Sequence, residues 1–434
     1  MRMFPEGTRP RLAAKTPTVA VIQDGARLHY ALPLALQREG LLGTMFTDWF
    51  VSPGSRQEAM ATVLRRLVPP LGQRLADRRC SELEPARVVS SEWVALRTWL
   101  ARLRHQVPEM REARISGRFA AWVDQQGWRG ANCLMGFVRN IDPRLCEAAK
   151  TAGLVVVVDQ MIAPAAIELA EMRRQAEQWP GWAPGGNSPG QQTIERELRT
   201  WRAADHITCP SAYVREGVLR QGVPPEKLTE VPYPIDASAW GGVDRSARTG
   251  PVTVGAVGLV GLRKGAPIVF ELAKRFSPAC ARFVMVGPIG VALPAMTARN
   301  GCVTLTGPVP RSTIREHLGA FDIFLLPSAC EGSATAVMEA MASALPVVTT
   351  PNAGTLVRDG ADGFVRERDD VDGLADCLGR LIGDADLRLR MGRSGRRRVE
   401  QFGIAGYSRS LRILLNRLLD CEGQHTPGRD GQRI

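Results

Sequence analysis

The chain has 434 residues, enough for two domains, and 44% of them are hydrophobic, so each half can bury its own core. A formal net charge of +12 favours anionic partners, and because no nucleic-acid motif accompanies it, we expect anionic lipid or phosphorylated small molecules and no nucleic acid. No apolar run reaches the ~18 residues of a membrane-spanning helix. The cysteines are scattered and form no C-x-x-C pair, which argues against a zinc site or a disulfide framework and favours a reducing, cytoplasmic setting.

Short apolar runs alternate with longer helical patterns through the first half of the chain. This β-α-β rhythm predicts a parallel sheet that is covered by helices on both faces. Residues 1–16, which are polar, basic and proline-bearing, are predicted to form a flexible tail. The predicted strands are Thr18–Ile22, Cys133–Phe137, Leu154–Val158 and His206–Cys209, and the predicted helices are Leu28–Glu39, Pro143–Thr151 and Ala212–Gln221.

The stretch Arg97–Arg118 combines several arginines with apolar residues at roughly helical spacing. Two interpretations stay open. It could be a basic amphipathic helix that lies on an anionic membrane, which would make the protein peripheral at the inner face of the plasma membrane. The plainer interpretation is a solvated helix whose apolar stripe packs on its own domain.

One stretch, Glu177–Gln192, does not fit the sheet pattern. It is rich in proline and glycine and contains Trp179 and Trp182. Loops of this length inside a compact domain are usually functional or disordered. We therefore predict a mobile loop beside a ligand-binding cleft.

A linker composition follows at Val231–Pro251, which is rich in proline and glycine, and the β-α rhythm then restarts. We predict a first Rossmann-like domain over residues 17–235 and a second over residues 236–405. A helix at 406–421 could cross back to the first domain, and residues 422–434 are predicted to be a flexible tail. The predicted strands of the second domain are Val252–Val257, Arg282–Val286, Val303–Thr306, Ile323–Leu326 and Val347–Thr350.

The most informative segment, Pro327–Pro351, leads from a predicted strand into an alanine-rich helix. Glu331 lies in the turn at the carboxyl end of the strand, where open α/β sheets bind ligands. The small residues Gly332, Ser333 and Ala334 come next. Their backbone N–H groups can approach a ligand closely, and the helix that they open has a positive end that suits phosphate.

A second carboxylate, Glu339, lies about two turns further along this helix, about 12 Å from Glu331 along the axis. A nucleotide-sugar laid over the helix start would bring its hexose near one carboxylate and its ribose near the other. Each carboxylate can accept two hydroxyl hydrogen bonds. On these residues alone, Glu339 could instead pair locally on its helix, with Glu331 merely exposed.

The run EGSATAVMEAMASALPVVTT, from Glu331 to Thr350, resembles the E-x7-E signature of retaining GT-B glycosyltransferases of family 4, and Asn352–Val365 resembles that family's usual continuation. The resemblance implies two Rossmann-like, doubly wound domains that face each other across a cleft, a nucleotide-sugar donor, and transfer with retention at the anomeric carbon. It assigns Glu331 to the donor hexose and Glu339 to the ribose hydroxyls. Ala344 stands where the family usually has glycine, which we expect only to alter helix packing.

A second motif, Val252–Gly265, leads from a strand into a glycine-bearing loop that ends with Arg263 and Lys264. Two cations beside a glycine turn suit a diphosphate, so no metal ion is required. The loop resembles the G-R-L-x-x-x-K-G form of family 4 at Gly258 and Lys264. Leu259 replaces the arginine of that form, and Arg263 could supply the missing charge; a basic pair at the surface is the alternative.

The first domain offers less specific candidates. Gly25 and Ala26 follow the first strand, in the loop that closes over the donor in GT-B enzymes, so the resemblance implies that they face the diphosphate. Asp159 and Gln160 follow the strand that ends at Val158, where many family members carry a histidine near the reacting carbon. Asp159 could orient the acceptor hydroxyl or accept its proton, or it could equally cap the next helix.

The pair Asp384 and Asp386 forms a D-x-D sequence, a metal motif of another glycosyltransferase fold, but helix capping explains it better. We expect neither a metal ion nor a cofactor. The expected partners are a nucleotide-sugar donor and a glycan or lipid-linked acceptor. Two alternatives to a glycosyltransferase stay open: another enzyme on the same fold, such as a nucleotide-sugar epimerase, and a catalytically weak nucleotide-sugar-binding protein.

Overall fold

The computed structural model of the protein describes residues 16–96, 108–184, 189–241, 250–292 and 303–422. Within these ranges the chain forms two parallel sheets, and helices pack against each of them. The protein is therefore an α/β protein with two Rossmann-like halves, and the fold class predicted from the sequence is confirmed.

The first sheet has seven strands in the order β3-β2-β1-β4-β5-β7-β8, and its neighbouring strands are parallel. Both of its faces are buried, because successive residues of β1 belong to different hydrophobic clusters: Val19 and Val21 to one, Ala20 and Ile22 to the other. The strands are β1 (Val19–Ile22), β2 (Leu42–Thr47), β3 (Val88–Ser90), β4 (Cys133–Phe137), β5 (Val155–Asp159), β7 (His206–Cys209) and β8 (Leu228–Glu230), and β6 (Ala183–Pro184) lies outside this sheet.

The helices of the first half form crossovers between parallel strands. One connection is different, because two consecutive helices, α2 and α3, separate β2 from β3. The helices are α1 (Ala31–Arg38), α2 (Arg56–Leu67), α3 (Pro69–Ala76), α4 (Pro108–Gln126), α5 (Pro143–Thr151), α6 (Ala165–Gln178), α7 (Gln191–Ala203) and α8 (Ala212–Arg220).

The second sheet has six strands in the order β12-β10-β9-β13-β14-β15, all parallel to their neighbours. Strands β9 and β13 lie at its centre, so the E-x7-E segment, which follows β13, leaves from the middle of the sheet. The strands are β9 (Val252–Val257), β10 (Ala281–Val286), β12 (Val303–Leu305), β13 (Ile323–Leu326), β14 (Val347–Thr349) and β15 (Gly363–Val365). The helices are α9 (Ala266–Ala273), α10 (Ile314–Ala320), α11 (Thr335–Ala342), α12 (Val371–Gly383) and α13 (Ala385–Val399).

The first helix begins at Ala31, later than the predicted range Leu28–Glu39. Leu28, His29 and Tyr30 have φ values of 47°, 50° and 63°, so they form a left-handed turn before the helix. This conformation is costly for residues with a Cβ atom, at about 1 kcal/mol or more for each residue. The turn is held by its surroundings, since the Tyr30 ring is buried and packs edge-on against Phe50.

The stretch Glu177–Gln192 is more regular than the sequence suggested. α6 continues to Gln178, and β6 pairs in antiparallel register with β11 (Val291–Ala292) of the second half. The Trp182 ring is buried and packs against Phe270 of α9, so this part of the stretch docks on the second half. The predicted loop is therefore shorter than expected: the stretch begins in α6 and ends in α7, a turn at 179–182 precedes β6, and residues 185–188 lie outside the described residues.

The last helix, α14 (Ile404–Glu422), returns to the first half of the molecule and packs against α1. Leu411 and Leu415 are buried in the same hydrophobic cluster as residues of β1. At the surface, Arg412 of α14 forms an ion pair with Glu39, with 3.1 Å between Nη1 and Oε2. One hydrophobic cluster therefore continues from the first sheet through α14 to the second half.

Among the residues that the structure describes, no helix combines the length and the apolarity that crossing a bilayer requires. The amphipathic helix that we predicted over Arg97–Arg118 falls largely outside them, since description resumes at Pro108 and the side chains of 108–114 are not described.

Candidate functional site

Glu331 lies just beyond the carboxyl end of β13, at the edge of the second sheet. Its side chain is almost fully buried, and a single oxygen, Oε1, contacts two cations: Arg263 Nη1 at 2.7 Å and Lys264 Nζ at 3.0 Å. The two motifs predicted separately from the sequence therefore meet at one point.

The charge state of Glu331 follows from these contacts. Burial alone would raise the pKa of the carboxyl, but Lys264 and Arg263 outweigh it and hold the pKa below its usual value. Glu331 is therefore ionised at neutral pH, and the cluster of two cations and one carboxylate carries a net positive charge. Such a cluster attracts a polyanion at the sheet edge.

The glycines of the second motif allow the close approach of Lys264 to Glu331. Gly258 has a φ of 138°, and a Cβ atom there would lie 3.1 Å from Lys264 Cε. Gly265 has a φ of 72°, and a Cβ atom there would lie 2.1 Å from the carbonyl oxygen of Pro327. Both positions need glycine for conformation, and the second also for space. The loop is thereby held against the carboxyl end of β13.

The turn after Glu331 uses its backbone groups in a way that the sequence did not indicate. The Ala334 N–H donates to the carbonyl oxygen of Ala353 at 3.0 Å, so it is not free for a diphosphate, and that part of the prediction is wrong. Gly332 approaches the first half so closely that a Cβ atom would lie 1.9 Å from the Met161 carbonyl oxygen. Its own carbonyl accepts a hydrogen bond from Ser211 Oγ at 2.5 Å.

The amino end of α11 remains open to a ligand at the residues next to Ala334. α11 begins at Thr335, one residue after Ala334, and no side chain caps it. Thr335 lines a cleft of about 1060 Å³ between the two halves. The position of Ser333, half-buried in the turn before the helix, agrees with its predicted place at the helix start.

Glu339 lies in the same cleft as Thr335, one turn further along α11, and is 5% exposed. Its Oε1 atom lies 2.9 Å from Nη2 of Arg311, an exposed residue that the sequence analysis missed. Burial raises the pKa of Glu339, and the Arg311 guanidinium opposes that rise. His29, from the left-handed turn of the first half, lines the opposite wall of the cleft.

The loop after β1 differs from the expectation in one respect. The Gly25 N–H donates to Asp48 Oδ1 at 2.8 Å, and Asp48 forms a buried ion pair with Arg78 at 2.5 Å. The expectation that the Gly25 amide faces a diphosphate is therefore wrong for this conformation, because Asp48 already accepts its hydrogen. The role expected for Ala26, half-buried at the start of the left-handed turn, stays a prediction.

Asp159 is 1% exposed, and both of its carboxylate oxygens are engaged inside the first half. Oδ1 accepts a hydrogen bond from the Tyr233 hydroxyl, and Oδ2 accepts one from Thr208 Oγ1 at 2.9 Å. The capping alternative is wrong, since Pro164 precedes the next helix. An acceptor hydroxyl cannot reach the buried carboxylate in this conformation, so its predicted catalytic role is corrected to a structural one.

Gln160 anchors a buried network that the sequence did not predict. Its Nε2 donates to Glu197 Oε1 at 2.5 Å, and its Oε1 accepts from Trp201 Nε1 at 2.8 Å. The other oxygen of Glu197 accepts from the Ala165 N–H at 2.6 Å. The network fixes residues 160–165, which include the Met161 carbonyl that abuts Gly332. Its members come from distant segments, so no local pattern could have indicated it.

The D-x-D pair of the second half lies at the start of a helix. Asp384 caps α13, because its Oδ1 accepts from the Leu387 N–H at 2.8 Å, and the predicted capping role is confirmed. Within the part of the chain that the structure describes, no group of three or more His, Cys, Asp or Glu side chains is arranged to hold a metal ion.

The fold and the site identify the class of protein as one with two Rossmann-like halves, a cleft between them that contains Glu339, and a cluster of Glu331, Arg263 and Lys264 at the carboxyl edge of the second sheet. Residues 251–384 match the family model described as glycosyl transferases group 1. Over 186 residues the chain is 29% identical to the amylovoran biosynthesis glycosyltransferase AmsK of Erwinia amylovora, a match that covers 39% of this chain and 46% of AmsK. The chain thus spans about half the length of this curated relative.

Solved structures extend the likeness over nearly the whole chain. Sucrose-phosphate synthase from Thermosynechococcus elongatus superposes with a TM-score of 0.64 at 17% identity, covering 93% of this chain and all of that one. HepE from Anabaena, in complex with UDP and glucose, superposes with a TM-score of 0.60 at 14% identity, covering 92% of this chain and all of that one. At such identities the likeness shows the shared fold.

Proposed function

We propose that the protein is a retaining glycosyltransferase that moves a sugar from a nucleoside-diphosphate-sugar to a glycan or lipid-linked acceptor. The observation that carries the proposal is the buried Glu331 carboxylate, which shares one oxygen with Arg263 and Lys264 at the carboxyl edge of the second sheet. The match of residues 251–384 to group 1 glycosyl transferases supports it, because that range contains all three residues.

The cation pair suits the leaving group of such a reaction. When the bond between the anomeric carbon and the diphosphate breaks, negative charge grows on the departing phosphate oxygen. Arg263 and Lys264 together carry more charge than Glu331 neutralises, so they stabilise that oxygen electrostatically. We propose that the reaction runs without a metal ion or a cofactor, because the two cations supply the positive charge that the leaving group needs.

Glu331 itself is proposed to bind the donor hexose. Both cations contact its Oε1 atom, and Oε2 is the oxygen that we assign to a sugar hydroxyl. The carboxylate is ionised and fixed in place, so it can accept a hydroxyl hydrogen bond without reorganising. A fixed acceptor of this kind holds the sugar while its anomeric carbon reacts.

Glu339 is proposed to bind the ribose. It is buried in the cleft near the start of α11, and its present partner Arg311 has a largely exposed side chain that can turn away. The ribose hydroxyls would then replace the guanidinium on the carboxylate. HepE, which shares this fold, was solved in complex with UDP and glucose, and this supports a nucleoside diphosphate as the ligand.

The acceptor is proposed to enter from the first half. His29 and Leu28 of the left-handed turn line the cleft opposite Glu339, together with Cys80 and Glu82. AmsK is named as an amylovoran biosynthesis glycosyltransferase, and a role of that kind supports a glycan or lipid-linked acceptor. Contact with an anionic membrane belongs to the same proposal, since the chain carries a net charge of +12.

Two substitutions separate the proposed roles of the carboxylates. Glu331→Gln should lower the kcat for release of nucleoside diphosphate from the donor by about 10²-fold or more, because it removes a fixed group at the reacting sugar. Glu339→Gln should instead weaken donor binding by about tenfold with a smaller effect on kcat, because it removes ribose contacts. Glu316→Gln, at an exposed position on α10, is the matched control.

The measurement is the steady-state release of nucleoside diphosphate from UDP-, GDP-, ADP- and dTDP-sugars, with thermal unfolding to confirm that each variant folds. Donor binding is measured separately by the ligand-induced rise in melting temperature. Full transfer rates in both the Glu331→Gln and the Glu339→Gln variant would rule out the proposed roles. Donor binding without any turnover by the wild type would favour a binding protein.

A further inference from the structure

One hydrogen bond in the turn after Glu331 comes from the other half of the molecule. Ser211, at the start of α8 in the first half, donates from its Oγ to the Gly332 carbonyl oxygen at 2.5 Å, although 121 positions separate the two residues in the chain. Ser211 is 5% exposed, so this hydrogen bond is shielded from water. Ser211 has no part in the transfer reaction proposed above, and its contact with this turn therefore needs its own explanation.

The backbone before Gly332 is held from within the second half. Asn352 Nδ2 donates to the Ala329 carbonyl oxygen at 2.8 Å, and the Glu331 N–H donates to the Asn352 carbonyl oxygen at 2.9 Å. The second half therefore fixes the chain as far as the Glu331 nitrogen. On the carboxyl side of Glu331, the hydrogen bond at Gly332 comes from Ser211. The two halves thus hold the backbone of Glu331 from its two sides.

The start of α8 sets the direction of the Ser211 hydroxyl. Ser211 is the N-cap of α8, and its Oγ accepts a hydrogen bond from the Val214 N–H at 3.4 Å. A hydroxyl has one hydrogen, and because its oxygen faces the Val214 N–H, that hydrogen is available for the Gly332 carbonyl. One side chain therefore caps a helix of the first half and holds a turn of the second half.

Gly354 provides the space for this contact. Its φ is 61°, and a Cβ atom there would lie 2.0 Å from the Gly332 carbonyl oxygen and 2.7 Å from Ser211 Oγ. The position needs glycine both for conformation and for space. Gly332 itself lies against the Met161 carbonyl of the first half, so the turn fits closely between the two halves.

We propose that Ser211 is a positioning residue for Glu331. From the first half it holds the backbone that follows Glu331, so the carboxylate keeps its place at the reacting sugar only while Ser211 contacts Gly332. The consequence for turnover rests on the proposed function, because that function assigns Glu331 to the donor hexose. The effect of Ser211 on the turn does not rest on it.

The expected loss of activity corresponds to one hydrogen bond between uncharged groups. Removing the Ser211 hydroxyl should lower kcat by about five- to tenfold, which is much less than the loss expected for Glu331→Gln. The donor affinity should change by less than about twofold, because Arg263, Lys264 and Glu339 keep their positions. A general loosening of the fold would instead weaken donor binding as well.

Two substitutions separate this role from helix capping. Ser211→Ala and Ser211→Gly both remove the hydroxyl, but glycine is a much better N-cap than alanine. Both variants should therefore lose kcat to the same extent, whereas Ser211→Ala should have the lower melting temperature. Ser55→Ala is the matched control, since Ser55 caps α2 through the Glu58 N–H, and its kcat should equal that of the wild type.

A double-mutant cycle tests whether Ser211 acts through Glu331. In the wild-type background, Ser211→Gly should lower kcat by about five- to tenfold. In the Glu331→Gln background the same substitution should lower it by less than about twofold, because the carboxylate that Ser211 positions is absent. Equal losses in the two backgrounds would show that Ser211 acts by another route and would overturn the proposal.

Hydrogen exchange of the ligand-free full chain tests the positioning without turnover. The Glu331 and Ala334 amides donate to carbonyl oxygens of the second half. Peptides that cover these amides should exchange about threefold faster, or more, in both Ser211 variants than in the wild type, and at the wild-type rate in Ser55→Ala. Circular dichroism and thermal unfolding confirm that each variant is folded.

The outcomes distinguish this proposal from the proposed function. An unchanged kcat or unchanged exchange in both Ser211 variants would overturn the positioning role, and so would a loss of kcat in Ser211→Ala alone, which would identify capping as the cause. Faster exchange in the Ser211 variants, with no donor turnover by the wild type, would support the effect of Ser211 on the turn and contradict the proposed transferase activity.

Discussion

Burial and hydrogen bonding act in opposite directions on the carboxyl of Asp159. Burial raises its pKa, the hydrogen bonds from Tyr233 and Thr208 lower it, and the result is a pKa of about 6. The folded protein therefore binds this proton more tightly than the unfolded chain does. Between the unfolded pKa of about 4 and the folded value, this group makes the protein less stable as the pH rises.

Replacing Asp159 by Asn should remove this dependence. The free energy of unfolding of Asp159→Asn, relative to wild type, should increase by about 2 kcal/mol from pH 4 to pH 7. Urea unfolding at a series of pH values measures it. His206, whose pKa burial lowers to about 4, has the opposite effect on stability, but it is present in both proteins and cancels. A difference that does not change with pH would contradict this account of Asp159.

At the scale of single residues, the sequence predicted the charged groups of the site but few of the residues that pair with them. Glu331, Lys264 and Glu339 were identifiable because they belong to motifs with fixed spacing. Arg311 was not, since it reaches Glu339 from 28 residues away, through a contact that no local pattern encodes. Ala344 also needed the structure: its φ of 55° shows that glycine is favoured there for backbone conformation, so the expectation that only helix packing changes is wrong.

At the scale of elements, the segment from α6 to β6 joins the two halves. Trp182 is 7% exposed and packs against Phe270, and β6 pairs with β11 across the boundary. An ion pair lies near this contact, with Arg368 Nε 3.1 Å from Glu171 Oε1. A segment of the first half therefore contributes to the hydrophobic core of the second.

The contribution of this segment to stability can be measured. Trp182→Ala should destabilise the protein by about 3 kcal/mol or more, because it leaves a cavity in a packed core. Urea unfolding followed by far-UV circular dichroism gives the free energy of unfolding. Trp93→Ala, at an exposed tryptophan, should change it by less than about 0.5 kcal/mol. Equal effects of the two substitutions would show that Trp182 does not have a core role.

Strands were more predictable than the segments between them. Parallel strands buried on both faces appear as continuous apolar runs, so β4, β5 and β9 could be placed from the sequence. The late start of α1 could not, because nothing in Leu28–Tyr30 signals three consecutive positive φ values. The docking of Trp182 was also hidden, since the glycines and prolines around it gave the composition of a loop.

At the scale of the whole molecule, the two halves share one hydrophobic cluster and enclose a large cleft. The cleft wall of the second half carries Glu339 and the start of α11, and that of the first half carries His29. The cluster of Glu331, Arg263 and Lys264 lies at the carboxyl edge of the second sheet, where ligands of such folds bind. The proposed transfer reaction depends on a nucleoside diphosphate binding against this edge.

The most direct test follows the donor itself. Proton NMR of UDP-, GDP-, ADP- and dTDP-sugars, recorded within minutes of adding the protein, distinguishes sugar release from epimerisation. The account predicts that one donor loses its sugar to acceptor or water, that nucleoside diphosphate appears, that the sugar keeps its anomeric configuration, and that Glu331→Gln slows the reaction. Conversion of a donor to an epimer without release of nucleoside diphosphate, or release of a sugar with inverted configuration, would contradict it.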